Sequence, residues 1–367
     1  EAARRYVAFT HGSPAALAQL AHALLALDRR QEAIATLGQV VGMGLALPPW
    51  SRDAEGLRAL RRAEVKGTSS RSVARTMLEL PAAGLVTEDL DYDAQHDRFL
   101  VTTVRGHSIL AVARDGGTRR YASAPDGWPM MAIRVDAARG IAWATEVALA
   151  DFASVAAQDR GRSALLAFDL ADGRLLRRIE GPRGAAFADM ALAGDGSLLI
   201  ADGAQGRLYR LRAGGDALER IDHGDFVSPQ TPAPLPDGRR AFVPDYVRGI
   251  ALLDLQSGAV RWLDGAGRHA LNGIDGLYWR DGHLLAVQNG TNPERVVEFS
   301  LDVALDHVRG ERIIEQATPT LGDPTHGVVA GGAFYYLSRS GWEGLDDSGQ
   351  PLPGWQQSPP LLRRASP

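Results

Sequence analysis

The chain has 367 residues, no cysteine and a formal net charge of −4. The missing cysteine excludes disulfides, thiolate nucleophiles and zinc–sulfur sites. An acidic chain lacks the basic surface that nucleic-acid binding needs, and no apolar run approaches the ~18 residues of a membrane helix. Lys66 is the only lysine, which excludes Schiff-base chemistry and a P-loop. We therefore expect a soluble globular protein without nucleic-acid or membrane partners.

Residues 1–66 are predicted to form a small helical cap. Ser13-Pro14 places an N-cap residue before a proline at the first helical position, which is a helix start signal. Further helices are predicted over Gln31–Val41 and Ser51–Ala63. The first helical pair resembles one tetratricopeptide unit, with Glu32-Ala33 where that repeat carries its Glu-Ala pair. The cap either packs against the rest of the chain or offers a surface to a protein partner.

Residues 67–72 are polar and serine-rich, and they are predicted to be a linker. From there to residue 367 the pattern changes to short apolar strands separated by turn signals. The turn signals are the pairs Asp115-Gly116, Asp172-Gly173, Asp195-Gly196, Asp237-Gly238, Asp281-Gly282 and Asn289-Gly290. Residues 73–367 are therefore predicted to be an all-β domain.

An internal repeat decides the architecture of this domain. Two apolar strands joined by a turn recur with starts at positions 88, 131, 188, 230, 275 and 326, which are 43, 57, 42, 45 and 51 residues apart. Each interval is the length of a four-stranded propeller blade. We predict a mainly β protein, a six-bladed β-propeller with a small N-terminal α-helical cap. Val73–Leu80 is predicted to supply the outer strand of the last blade, because only Leu361–Arg364 remains after Phe334–Ser338.

The blade starts define a candidate site, because the innermost strands converge on the propeller axis. The six residues at these positions are Glu88, Met131, Ala188, Gln230, Asp275 and His326. Hard cations such as calcium take six to eight oxygen ligands, and carboxylates are suitable donors. His326 is predicted to be a general base, a nitrogen ligand, or an axial histidine hydrogen-bonded to a neighbouring carboxylate.

A second ring is expected around the same mouth, where the strands that follow the innermost ones end. Its members are Val104, Glu146, Asp202, Asp245, Asn289 and Ser338. Together with Glu88, Asp89, Asp189 and Asp275, these residues predict an acidic funnel that favours cations or neutral polar ligands over anions. The predicted ligand-binding residues are Met131, Asp189, Gln230, Asp202, Asp245 and Asn289.

The phrases Thr87–Asp93 (TEDLDYD) and Ile274–Leu277 (IDGL) at two blade starts resemble the family of gluconolactonases, senescence marker protein and luciferin-regenerating enzyme. The resemblance covers roughly residues 73–366. It implies a divalent metal ion, commonly calcium, held by Glu from blade 1, Asn from blades 3 and 4, and Asp from blade 5. Glu88 and Asp275 match this set, whereas Ala188 and Gln230 replace the asparagines. We expect an incomplete metal site with weak calcium affinity.

Two functions follow from these expectations. The resemblance implies a metal-dependent lactonase- or esterase-like hydrolase, in which Glu88 and Asp275, helped by Gln230 or Asp189, hold the metal. Asp275 or His326 would then activate water against a lactone carbonyl in the central channel, with little activity expected unless metal is added. The alternative is a non-catalytic propeller that binds a small ligand or a protein partner. A processed N-terminus is expected from the start at Glu1, with a periplasmic or secreted location and the cytoplasm left open.

Overall fold

The computed structural model describes residues 1–51, 56–81, 84–356 and 358–366, and it begins with a group of short helices. These are Ala2–Phe9, Pro14–Ala26, Arg30–Gly42 and Arg58–Gly67, with a 3₁₀ turn at Pro49–Ser51. The predicted start at Ser13-Pro14 is confirmed, because the Ser13 hydroxyl accepts a hydrogen bond from Ala16 N at 3.2 Å. The helix predicted over Gln31–Val41 is also confirmed.

The helix predicted over Ser51–Ala63 begins later than expected. Residues 52–55 lie outside the described residues, and the regular helix begins at Arg58. Gly56 has a φ of 90°, which lies in the left-handed region and is incompatible with a right-handed helix. The helical pattern of the sequence did not register this break.

Six antiparallel sheets follow, so the predicted six-bladed β-propeller is confirmed. Blade 1 comprises Thr87–Asp93, Arg98–Thr103, Ser108–Ala113 and Thr118–Ser123; blade 2 comprises Met130–Asp136, Ile141–Val147, Ser163–Asp169 and Leu175–Glu180; blade 3 comprises Phe187–Leu192, Leu198–Asp202, Arg207–Leu211 and Leu218–Arg220. Blade 4 comprises Ala233–Pro234, Arg240–Asp245, Gly249–Asp254 and Val260–Trp262; blade 5 comprises Leu277–Arg280, His283–Gln288, Arg295–Leu301 and Val308–Gln316; blade 6 contains Gly327–Ala330, Ala333–Arg339 and Leu361–Ala365.

The N-terminal segment of the β domain closes the ring as predicted. Arg75–Glu79 pairs antiparallel with Leu361–Ala365 and forms the outermost strand of blade 6. Two residues of the predicted linker, Arg71–Ser72, pair with Glu315 and Gln316 and add a fifth strand to blade 5. Pairing of the two chain ends leaves fewer unpaired strand edges than an open ring would have.

The helical cap packs against the propeller beside blade 5. Leu17, Val40 and Leu45 share a buried apolar cluster with Ala270, which lies in the segment that leads into blade 5. Backbone contacts add to this packing, since Ala46 N donates to the Asn292 carbonyl at 2.7 Å. The cap therefore covers propeller surface, in agreement with the packing expected from the sequence.

The apolar core is divided into clusters between neighbouring blades. One cluster joins Leu100 and Ile109 of blade 1 to Ile133 and Phe168 of blade 2, and similar clusters join later pairs of blades. This division leaves the axis free for polar side chains from the innermost strands. Among the described residues, no helix is long and apolar enough to cross a membrane.

Candidate active site at the channel mouth

A cavity of about 420 Å³ opens at the end of the channel where the innermost strands begin. Two long loops form one side of its wall: the loop after Val147 in blade 2, and the loop after Arg339 in blade 6. The lining residues are Glu88, Phe152, Asp275, Asn289, Asp323, Thr325, Trp342, Leu345, Asp346 and Asp347. The cavity is therefore both acidic and partly apolar.

Glu88, Asp275 and His326 form the centre of this site. Each offers one donor atom, and these atoms all lie within 4.8 Å of one another. The Glu88 side chain accepts a hydrogen bond at Oε2 from Trp342 Nε1. Asp275 Oδ2 accepts from Asn289 Nδ2 at 2.9 Å. Among the described residues, nothing donates to the second oxygen of either carboxyl group, so both can meet a ligand.

His326 is buried, and both of its ring nitrogens are engaged. Nδ1 lies 3.0 Å from the carbonyl oxygen of Glu88, and Nε2 lies 2.9 Å from Oδ1 of Asp189. A carbonyl oxygen can only accept, so Nδ1 must carry a proton. Burial lowers the pKa of His326, but Asp275, Asp89 and Asp189 raise it more, and the result lies well above the usual value. His326 is therefore an imidazolium that donates from both nitrogens.

This arrangement favours one of the three roles expected for His326. With no free lone pair on the ring, His326 serves neither as a general base nor as a nitrogen ligand in this arrangement. It matches the third expectation, an axial histidine bonded to a carboxylate. Asp189 also accepts from the Thr231 hydroxyl at 2.6 Å and lies outside the cavity lining. The structure thus places Asp189 behind His326, where it holds the ring instead of contacting a ligand.

The two carboxyl groups that face the cavity have raised pKa values. Burial raises the pKa of Glu88 to about 8; the negative charge of Asp275 adds to this shift and the positive charge of His326 opposes it. Burial also raises the pKa of Asp275 to about 7, with His326 opposing and Asp189 reinforcing the shift. Near neutral pH, Glu88 is mostly protonated and Asp275 is partly ionised. Such a pair suits acid–base chemistry.

Two other predicted site residues, Asn289 and Met131, lie in different places relative to the cavity. Asn289 lines the cavity, donates to Asp275 and accepts from the Tyr246 hydroxyl at 3.1 Å. Met131 is 5% exposed and packs with Val86 and Trp128 in an apolar cluster behind the wall. The structure thus places Asn289 in the site and Met131 in the packing beneath it.

Gln230, Asp202 and Asp245 do not line the cavity. Their side chains bond to nearby loops, although among the described residues Oδ2 of Asp202 is buried without a hydrogen-bond partner. The Gln230 amide donates to the backbone carbonyl and hydroxyl of Ser228. The two aspartates accept from backbone N–H groups of neighbouring loops, namely Ala186, Ala204 and Gln205 for Asp202, and Val227, Ser228, Val247 and Arg248 for Asp245. The structure places both carboxylates in hydrogen bonds that organise loops, and their contact with a ligand stays a prediction.

The cavity residues on the two long loops were not predicted from the sequence. Phe152 comes from the blade 2 loop, whereas Trp342 and Leu345 come from the blade 6 loop. A signal was present for the blade 2 loop alone, because the interval of 57 residues after position 131 exceeds the others. The interval of 51 residues after position 275 reflects the long outer strands of blade 5, and the blade 6 loop follows the last blade start, so no interval spans it. The missed residues occupy no fixed repeat position.

The donor set does not fit the calcium ion implied by the family resemblance. Calcium takes six to eight oxygens, whereas the blade starts offer one free oxygen from Glu88 and one from Asp275. Ala188 packs in an apolar cluster, and the Gln230 side chain turns to Ser228. The third member of the group, His326, has both ring nitrogens engaged by Glu88 O and Asp189 Oδ1, so neither is free to bind a metal ion in this arrangement. The blade-start residues therefore lack the number of oxygen ligands that a calcium site needs.

Comparisons with known proteins agree with this fold. No protein-family model matches the sequence, and no curated protein does either. A luciferin-regenerating enzyme structure matches with a TM-score of 0.56 and 13% identity, over 81% of this chain and 95% of its own. A gluconolactonase from Xanthomonas campestris matches with a TM-score of 0.52 and 16% identity, over 80% and 90%. A glucose dehydrogenase-type oxidoreductase from Thermus thermophilus matches with a TM-score of 0.54 and 16% identity, over 81% and 100%.

The chain shares its fold with gluconolactonase and luciferin-regenerating enzyme structures. This agrees with the resemblance carried by the blade-start phrases. At identities of 10–16%, the likeness concerns the fold and leaves activity to be argued from the site. None of these matches confirms the tetratricopeptide resemblance of the cap.

Proposed function

We propose that this protein is a hydrolase of the lactonase or esterase type that acts on a small substrate in the cavity at the channel mouth. The observation that carries the proposal is the pair Glu88 and Asp275. Both line the cavity, each has one oxygen free of protein donors, and their donor atoms lie within 4.8 Å. One water molecule or one substrate oxygen can bridge groups at this separation.

The proposed reaction uses the two carboxyl groups as base and acid. Ionised Asp275 accepts a proton from a water molecule as the water oxygen attacks the carbonyl carbon of the lactone or ester. Protonated Glu88 donates its proton to the departing alkoxide oxygen as the carbon–oxygen bond breaks. The product is a hydroxy acid, or an acid and an alcohol. Proton exchange with solvent then restores both groups.

His326 has a positioning and electrostatic role in this scheme. Its positive charge lowers the pKa values of both Glu88 and Asp275. Its Nδ1 also fixes the backbone carbonyl of Glu88, so the ring sets the place of the acid. Trp342 Nε1 holds the other end of the Glu88 side chain. The acid is therefore held at both ends, as preorganised catalysis requires.

The test measures the hydrolysis of γ-butyrolactone by proton release and the hydrolysis of phenyl acetate by phenol absorbance. We expect turnover in the presence of EDTA, and a loss of about 10²-fold or more in E88Q and D275N. D216N, which makes the same type of charge change on an exposed residue outside the cavity, should match the wild type. Turnover that requires added calcium, manganese or zinc would support the metal-dependent hydrolase implied by the resemblance and overturn the metal-free mechanism.

The second candidate is a non-catalytic propeller that binds a small ligand in the same cavity. It is favoured by Ala188 and Gln230, because neither side chain reaches the cavity at positions where the family resemblance implies metal ligands. In that case the substrates above would bind without turnover in every metal condition. A protein partner on the cap and a periplasmic or secreted location both stay predictions.

A further inference from the structure

The charge of the cavity lining differs from that of other surface hollows of the molecule. Among the lining residues five are acidic and none is basic; the acids are Glu88, Asp275, Asp323, Asp346 and Asp347. Glu294 extends the acidic zone outward, since it accepts a hydrogen bond from Asp323 N at 2.9 Å. A groove beside blades 3 and 4 is lined instead by Arg210, Arg212, Arg220 and Arg239. With a net charge of only −4, the acid excess is a local property of this cavity.

Several of these acids have no ion-pair partner within the protein. Among the described residues, no cationic side chain lies within salt-bridge distance of Glu88, Asp275 or Asp323, and the neighbouring His326 is paired with Asp189. Glu88 is only 6% exposed, yet its Oε1 has no hydrogen-bond donor. A buried carboxyl group whose second oxygen has no protein partner beside a cavity is suited to form a hydrogen bond with a ligand.

Another part of the cavity lining is aromatic and apolar. Phe152 and Trp342 meet edge to face with ring centroids 6.0 Å apart, and Leu345 lies beside them in the lining. Aromatic faces attract alkylammonium groups as well as apolar surface. The cavity therefore combines the two elements that recognise organic cations, namely unpaired carboxylates and aromatic rings.

We propose that the substrate of this site is a lactone or ester that carries a positively charged ammonium group. The inference rests on the proposed function for the ester part and on the cavity lining for the charge. The carbonyl lies toward Glu88 and Asp275 in the depth of the cavity. The ammonium group lies toward the rim, between Trp342 and the carboxylates of Asp323 and Asp347. Anionic substrates are repelled by the same lining.

A pair of substrates of equal shape tests the charge requirement. In α-trimethylammonio-γ-butyrolactone and α-tert-butyl-γ-butyrolactone the substituents have nearly the same size, and only the first is charged. We expect kcat/KM to be about tenfold or more higher for the cationic lactone after correction for its faster spontaneous hydrolysis. The advantage should shrink as salt is added. Equal values, or a preference for the tert-butyl compound, would overturn the inference.

A binding measurement separates this inference from the proposed function. Tetramethylammonium is titrated into the protein in EDTA by calorimetry, which needs no turnover. We expect binding that weakens roughly threefold in D347N and in D323N, with D216N unchanged. If tetramethylammonium binds but neither lactone is hydrolysed, the proposed hydrolase function is contradicted and the proposed cation site is supported. If both lactones are hydrolysed at equal rates and tetramethylammonium does not bind, the hydrolase function is supported and the cation site is contradicted.

Discussion

Nε2 of His326 lies 2.9 Å from Oδ1 of Asp189, and this contact joins blade 6 to blade 3 across the propeller axis. Both side chains are at most 2% exposed. The buried ion pair holds the positive charge of His326 beside the carboxyl groups of Glu88 and Asp275. Without it, these two acids would lie close together with no nearby cation. The pair therefore affects stability and the titration of the site together.

Replacing His326 by asparagine should change both properties. Loss of the cation leaves Asp189 buried without its charged partner, so the free energy of unfolding should fall by about 3–5 kcal/mol. Because the His326 charge lowers the pKa values of Glu88 and Asp275, the pH–rate profile of any remaining hydrolysis should move to higher pH. T231V, which removes only a neutral donor to Asp189, is the control. It should cost less stability and leave the profile in place.

Trp342 should affect the pKa of Glu88 and leave the pKa of Asp275 unchanged. Its Nε1 donates to the Glu88 carboxyl group and lowers the pKa of that group. In W342F the ring remains and the donor is lost, so the pKa of Glu88 should rise. The high-pH limb of the pH–rate profile, which reports Glu88, should then shift to higher pH. The low-pH limb, which reports Asp275, should not shift. F152L removes a neighbouring ring without touching that hydrogen bond and should move neither limb. Movement of both limbs in W342F would contradict the assignment.

The stability of the wild-type protein should depend on pH through Glu88. Its pKa rises from 4.5 to about 8 on folding, so the folded state holds a proton that the unfolded chain releases between these values. This contribution is complete below pH 4.5 and is lost as the pH rises toward 8. Urea denaturation at pH 5, 6, 7 and 8 should show a shallower decline in E88Q than in the wild type. Parallel curves would mean that the Glu88 pKa is not raised.

Ring closure should depend on Arg363 in the last strand. Its guanidinium binds Glu315 of blade 5 at 3.0 and 3.2 Å and donates to the Thr76 hydroxyl of the N-terminal strand at 2.8 Å. R363A leaves Glu315 buried without its charged partner and should cost about 3–5 kcal/mol in urea denaturation. R364A changes the next residue, whose head group contacts the Tyr335 hydroxyl at 3.3 Å, and should cost about 1 kcal/mol or less. Equal losses would contradict a special role for Arg363.

The cap should stabilise the propeller through its apolar contact. Leu45 is 2% exposed and packs in the cluster that contains Ala270. L45A should therefore lower the free energy of unfolding by about 2–5 kcal/mol. L27A removes a leucine from the same cap at a position that is 68% exposed, and it should change stability by about 0.5 kcal/mol or less. If L45A unfolds the helices and leaves the melting of the propeller unchanged, the cap is an independent unit.

The repeat made most of the β domain predictable. Strand position follows from local alternation and from turn pairs such as Asp195-Gly196, and both are properties of neighbouring residues. The recurrence of this unit predicted the number of blades and the need for an extra strand, which Arg75–Glu79 supplies. The same reasoning located Glu88, Asp275 and His326 at one end of the axis, because equal repeat positions meet there.

The tertiary structure alone decided what these residues do. The sequence placed His326 on the axis, but its charge depends on Asp189 and on a backbone carbonyl of Glu88, which lie 137 and 238 positions away. Trp342 and Phe152 belong to loops with no repeat pattern, so their approach to Glu88 follows from packing between blades 2 and 6. Periodicity is a local property and sets the elements, whereas protonation and cavity shape depend on contacts between residues distant in the chain. The sequence therefore determined a six-bladed ring with an acidic axis, and the fold decided that a histidine cation and an aromatic wall complete it.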